Sequence, residues 1–204
     1  MGFVRDLWAW LDRSKRGGPV IALDPLSGMY LTKGGYQRWR NPFDKGYVPY
    51  QSVVSMLSQD FEGFLNPQNI YLDESGMITH RLLPGSKFAS DSIHPLMLYK
   101  NAKNDWYAWL QRYALRIAHF RSAMGKRQRI TFVLCHNQWP HELLAVLKKK
   151  YIGDIFVVTL NVVDSPGIYQ DCVHDDGCFY SIVKGSDHGL EMAKAVLSKH
   201  LHKL

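Results

Sequence analysis

The segment Val-Ile-Ala-Leu-Asp-Pro-Leu-Ser-Gly at residues 20–28 predicts a short buried strand that ends in a polar turn. Three later segments share this pattern of an apolar run followed by polar side chains, at 130–134, 155–160 and 179–183. Ligands of parallel sheets bind outside the carboxyl ends of the strands. If the four runs are neighbours in one sheet, the polar residues that follow them form one site.

The remaining chain supplies the helices that such a sheet requires. Apolar residues recur at helical spacing over 50–65, 104–124, 140–150 and 189–202, and a hairpin is predicted over 70–83. The alternation of strands and helices from about residue 128 favours a three-layer α/β/α domain with a mostly parallel sheet. We expect residues 1–17 to form an amphipathic N-terminal helix and residues 18–204 to form a single α/β domain.

Composition narrows the class of protein. The chain has 204 residues, of which 46% are hydrophobic and 21% charged, as in ordinary globular domains. Three cysteines make no disulfide framework, so we expect a reducing, cytoplasmic setting. The net charge of +7 comes from scattered basic residues, so no specific nucleic-acid binding is expected. The tryptophans within residues 3–13 could contact a membrane surface or a protein partner.

Several short motifs resemble those of one family. They are Ile-Ala-Leu-Asp-Pro-Leu-Ser from residue 21, Asn-Pro-Phe-Asp at 41–44, Asp-Phe-Glu-Gly-Phe at 60–64, and Thr-Phe-Val-Leu at 131–134. Over about residues 20–160 the chain resembles a family of papain-like cysteine peptidases of unknown function (DUF1796). The resemblance implies a nucleophile paired with a histidine, which would be His94. The family carries a cysteine where this chain has Ser27, and a tryptophan where it has Lys45.

Ser27 is the predicted nucleophile of a hydrolase-like or acyl-transferase-like site. A serine hydroxyl attacks only when a base accepts its proton. The candidate bases are His94, from the resemblance, and His188, which follows a strand. A carboxylate would orient the imidazole, with Asp187 as one candidate, and backbone N–H groups near Gly28 would face the oxyanion. The substrate would be an ester, an amide or a glycan-linked group.

Further polar residues are predicted to line the same site. The expected substrate contacts are Asp24, Asp44, His136, Asn137 and Arg116. The carboxylates of Asp24 and Asp44 could also orient the base. The expected ligand is a small molecule, a peptide or a glycan, and neither a cofactor nor a metal is expected.

Each candidate also has a simpler structural interpretation. Ser27 could be a turn residue bonded to local backbone, and Ser186 with Asp187 could cap a helix. Loss of the family cysteine also fits a degenerate member that binds a ligand or partner without turnover. Cys172, His174 and Cys178 could offer zinc ligands, but structural zinc usually takes four, so a surface loop is expected over 164–178.

Overall fold

The computed structural model describes residues 18–36, 39–43, 46–74, 77–88, 98–125, 128–165, 171–184 and 187–201. The predicted N-terminal helix lies outside these ranges, as do three residues with predicted roles, Asp44, His94 and Ser186. Among the described helices, none has the length and apolar character that a membrane-spanning segment requires.

The described part of the chain contains both strands and helices. The strands are β1 (Val20–Ala22), β2 (Gly46–Tyr47), β3 (Ile70–Leu72), β4 (Ile78–His80), β5 (Lys87–Phe88), β6 (Ile130–Cys135), β7 (Ile155–Val163), β8 (Cys172–His174) and β9 (Gly177–Val183). The helices are α1 (Pro25–Lys33), α2 (Tyr50–Ser58), α3 (Leu98–Met124), α4 (His141–Lys150) and α5 (Asp187–His200).

The larger sheet has the strand order β1-β6-β7-β9-β8. The first four strands in this order run parallel, and β8 pairs antiparallel with β9 at the edge. The mostly parallel sheet predicted from the four apolar runs is therefore confirmed. These runs are continuously apolar because both faces of the sheet are covered.

The two faces bury separate hydrophobic clusters. Ile21 and Phe132 contribute to one cluster, together with side chains of α2, α3 and α4. Ala22 and Val133, the next residues in each strand, contribute to the other, with side chains of α1 and α5. Successive strand residues point to opposite faces, so the two clusters lie on the two sides of the sheet. This arrangement confirms the α/β/α layers.

A smaller antiparallel sheet, in the order β2-β5-β4-β3, extends the first cluster. Ile78 and Phe88 from this sheet belong to the same cluster as Phe132. The predicted hairpin over 70–83 is confirmed as β3 and β4. The Met77 N–H donates to the Asp73 carboxylate across its turn, at 2.9 Å.

The helix predicted over 50–65 is too long, because α2 ends at Ser58. Asp60 and Phe61 have φ angles of 49° and 61°, in the left-handed region that stops a right-handed helix. Phe61 is buried in the aromatic cluster, 5.4 Å from the ring of Phe120. Arg121 donates to both the backbone oxygen and the carboxylate of Asp60. These contacts offset the strain of the turn.

His80 is the most buried polar residue of the smaller sheet, with 2% of its surface exposed. Its Nδ1 accepts a hydrogen bond from the Leu82 N–H at 3.2 Å, so its Nε2 carries the proton and donates to the Phe64 oxygen at 3.1 Å. Burial lowers the pKa of His80, because the charged imidazolium is poorly solvated there. The fold therefore requires a neutral imidazole at this position.

We expect the free energy of unfolding to fall as the pH drops below about 6.5, the ordinary histidine pKa. Below that pH, the His80 imidazole binds a proton in the unfolded chain but stays neutral in the folded protein. His80→Gln should remove about 1–2 kcal/mol of the loss between pH 7 and pH 5, measured by urea denaturation at each pH. His188→Gln, on the exposed start of α5, is the control and should keep the full loss. Equal pH dependence in wild type and His80→Gln would contradict this assignment.

Candidate functional site

The four parallel strands end at one edge of the larger sheet, called here the carboxyl edge. The strand ends therefore share one edge, as predicted, but the edge is stepped and the polar residues that follow the strands do not all lie close together. Cys135, the last residue of β6, lies opposite Leu160, and β7 continues three positions further to Val163. At about 3.3 Å per residue, the tips of β7 and β9 lie about 10 Å beyond the end of β6.

Asp24 is the N-cap of α1. The predicted polar turn at residues 24–28 is a helix start: Pro25 occupies the first helical position, and Asp24 Oδ1 accepts the Ser27 N–H at 2.8 Å. Proline at this position needs no backbone donor, and aspartate is a preferred N-cap. The same pair of residues is common in turns, which explains the difference from the prediction.

The other carboxylate oxygen of Asp24 joins α1 to the sheet. Its Oδ2 accepts the backbone N–H of Cys135 at 2.7 Å, across 111 residues of sequence. Burial raises the pKa of Asp24, although hydrogen bonds from Ser27 and Cys135 favour the carboxylate. Burial, and then the nearby Asp24, raises the pKa of the Cys135 thiol. Cys135 therefore stays protonated, as expected for an inert cysteine.

Ser27 lies in the first turn of α1 and is hydrogen-bonded within that turn. It has no exposed surface, and its hydroxyl donates to the backbone oxygen of Asp24 at 2.9 Å. The Gly28 N–H donates to that same oxygen, at 3.1 Å. The N–H groups of Ser27 and Gly28, predicted to face an oxyanion, are thus both engaged inside the first turn.

His136 leaves β6 at the lower step of the carboxyl edge. Its ring stacks on Tyr50, with 4.1 Å between ring centroids and 11° between planes. The Tyr50 hydroxyl accepts the N–H of Leu143, which holds this pair against the first turn of α4. Burial lowers the pKa of His136, so its imidazole is neutral near pH 7. The adjacent Asn137 is exposed.

The remaining predicted residues lie elsewhere. Asp187 and His188 are exposed in the first turn of α5, beyond the upper step of the carboxyl edge. Arg116 is on α3, on the opposite face of the sheet from α1, with its guanidinium 5.2 Å from the centroid of the Tyr113 ring. The structure therefore brings Asp24 and Ser27 together beside the end of β6, but it gives Arg116 no place in that group.

Sequence reasoning missed two polar residues near the carboxyl edge, Tyr30 and Ser181. Tyr30 is buried, and its pKa is raised by burial and then by Cys135 and Asp24. It lies three positions after Ser27, a helical spacing that becomes visible only once the segment is recognised as a helix. Asn161 donates to the Ser181 hydroxyl at 3.2 Å, across the pairing of β7 with β9.

The surface loop expected over 164–178 contains strand β8 and the start of β9. Cys172 and His174 contact each other, with 3.2 Å between Sγ and Nε2. Among the residues that the structure describes, no three histidine, cysteine or acidic side chains are grouped as a metal site would require.

Comparison with known proteins found no matching family model, no matching curated protein and no matching solved structure. The resemblance to the papain-like family therefore stays a prediction.

We expect Asp24→Ala to lower the free energy of unfolding by about 2–4 kcal/mol at pH 7. The change removes a helix cap, worth about 1 kcal/mol, and leaves the Cys135 N–H without its acceptor, at a cost of about 1–3 kcal/mol. Urea denaturation would measure it.

The matched control is Asp187→Ala, which removes an exposed acid from the first turn of α5. Its cost should stay below about 1 kcal/mol, because the interaction of an exposed carboxylate with a helix dipole is worth about 0.3–1 kcal/mol. Equal losses in the two variants would show that Asp24 does not join α1 to β6.

Proposed function

We propose that this chain is a binding module on an α/β scaffold, without turnover at Ser27, and that its carboxyl edge takes an uncharged polar ligand such as a glycan or a peptide. The observation that carries the proposal is the bonding of Ser27. Its hydroxyl has no exposed surface, and its one proton is donated to the Asp24 backbone oxygen.

Turnover at Ser27 would need an oxygen that a substrate can approach and a base that takes its proton. A buried hydroxyl bonded to backbone meets neither requirement. The start of α1 is also unsuited to an oxyanion, because the Asp24 carboxylate already accepts the Ser27 N–H.

The groups that remain outward at the carboxyl edge favour a neutral ligand. His136 is uncharged near pH 7, and Asn137 offers an exposed amide. Among the described charges, Asp24 accepts backbone N–H groups at the lower step, and Asp164 pairs with Lys184 at 3.4 Å, while Asp187 is exposed beyond the upper step. Amides and a neutral imidazole both donate and accept hydrogen bonds, which suits hydroxyl and amide groups of a ligand.

The cellular location and the role of the N-terminal segment are also part of the proposal. All three cysteines are free, which suits the cytoplasm. The tryptophan-containing segment 3–13 would add a contact with a membrane surface or a protein partner.

A serine-reactive fluorophosphonate probe tests the absence of turnover. We expect no labelling of the wild-type protein, under conditions in which a known serine hydrolase is labelled. Ser27→Ala should cost about 1 kcal/mol of unfolding free energy, since one hydrogen bond within the first turn of α1 is lost. Labelling that disappears in Ser27→Ala would instead support the predicted hydrolase, with His94 or His188 as the base and Asp187 as the acid.

Binding can be tested with N-acetylglucosamine and with N-acetylglycine N-methylamide, two uncharged probes. We expect one of them to cause saturable shifts of the Asn137 and Asn161 side-chain amide signals in ¹H–¹⁵N NMR spectra. Asn137→Ala should weaken this binding, because a ligand contact is removed. Gln68→Ala, an exposed amide beside the smaller sheet, should leave it unchanged. Shifts that do not saturate, or that Asn137→Ala leaves unchanged, would contradict the assigned site.

A further inference from the structure

Cys172 and His174 form a thiol–imidazole pair on the edge strand β8. The two side chains are two positions apart in a strand, so they project from the same face. Their Sγ and Nε2 atoms are 3.2 Å apart, within hydrogen-bond reach for sulfur. Cys172 is half-buried and His174 is exposed. An imidazole at this distance can accept the proton of the thiol and leave a nucleophilic thiolate.

The imidazole is held by an aromatic neighbour. Gly177 of β9 lies opposite His174, and a Cβ at position 177 would come within 2.8 Å of the Trp139 ring. The missing side chain lets the indole lie against the strand, where its ring centroid is 4.3 Å from that of His174. His174 is therefore restrained from one side by Trp139 and contacts Cys172 on β8 itself.

The other two cysteines have different surroundings. Cys178 is buried in the cluster beneath α1 and α5, and burial raises its pKa to about 12. Trp139 packs with the opposite cluster, so Cys172 and Cys178 project from opposite faces of the sheet. A disulfide between them would need backbone movement. The backbone N–H of Cys135 is hydrogen-bonded to Asp24, and burial raises the pKa of its thiol, so Cys135 also remains protonated.

The cleft beside His174 is lined by more acidic than basic side chains. His174 borders an open cleft of about 710 Å³ that is also lined by Asp154, Asp175 and Asp176. Lys148 is the cation of this cleft and is paired with Asp176. The field at the cleft therefore favours a neutral or positively charged reactant over an anionic one.

We propose that Cys172 is a reactive thiol, activated by His174, that undergoes exchange with small neutral or cationic disulfides. The Sγ proton passes to His174 Nε2, and the thiolate attacks one sulfur of the disulfide. A new Sγ–S bond forms as the S–S bond breaks, and the leaving thiolate takes the proton back from the imidazolium. The products are a mixed disulfide on Cys172 and one free thiol, so the exchange needs no further oxidant.

The test compares three disulfides on the full chain at pH 7: cystamine, which is cationic, bis(2-hydroxyethyl) disulfide, which is neutral, and oxidised glutathione, which is anionic. Intact mass and peptide mapping would follow the adduct. We expect modification at Cys172, fastest with cystamine and slowest with oxidised glutathione. Cys172→Ser should abolish the fast phase. Fast modification of Cys135 or Cys178 instead would overturn the proposal.

The role of His174 has its own matched control. His174→Gln should slow the exchange by about tenfold or more, because the base that accepts the Sγ proton is removed. His141→Gln changes another exposed histidine beside Trp139, with 6.5 Å between ring centroids, and should leave the rate unchanged. If His174→Gln reacts as fast as wild type, the activation by His174 is refuted. If oxidised glutathione reacts faster than cystamine and bis(2-hydroxyethyl) disulfide, the proposed charge preference is refuted. Neither outcome bears on ligand binding at the carboxyl edge.

Discussion

The Asp24 carboxylate joins two parts of the fold that are far apart in sequence. One oxygen caps α1 by accepting the Ser27 N–H, and the other accepts the N–H of Cys135 at the end of β6. The first helix is thereby attached to the neighbouring strand of the sheet. Because these oxygens are largely removed from water, each N–H that they accept matters more than it would at the surface. This one side chain therefore fixes the start of α1 against the end of β6, at the lower step of the carboxyl edge.

That attachment also limits the chemistry available at Ser27. A helix N-terminus following a strand is a common place for a nucleophile or a bound anion, since its N–H groups point outward. Here the protein's own carboxylate occupies that position, and the Ser27 hydroxyl is bonded within the first turn. The half-buried His136 and the exposed Asn137 are the neutral groups left beside this junction at the lower step. The binding proposal follows from this division between inward and outward groups.

On the edge strand β8, contacts between Cys172 and His174 and between His174 and Trp139 bring a thiol and an imidazole together away from the carboxyl edge. Cys172 and His174 are brought together by strand geometry, and Trp139 reaches them because Gly177 carries no side chain. A helical or loop conformation of the same residues would separate the two side chains. The reactivity proposed for this pair thus depends on the strand conformation of β8 and its pairing with β9.

The sequence by itself determined the layers of this protein. A strand whose two faces are both covered reads as an uninterrupted apolar run. The run in 20–28 and the three later runs therefore predicted four strands of a mostly parallel sheet. Local chemistry also predicted the hairpin of β3 and β4. The turn predicted at Asp24-Pro25 is the start of a helix, because this pair of residues is common in both.

Only the tertiary structure decided what the polar residues do. The partner of Asp24 is 111 residues away, and no local pattern indicates which backbone N–H will reach it. Strand register set the step between His136 and the start of α5, and register depends on pairing across the whole sheet. The Cys-x-His spacing was visible from the start, but its meaning depended on whether residues 172–174 form a strand. Hydrogen bonds within one helical turn or hairpin can be read from sequence; contacts between distant segments depend on the packing that joins them.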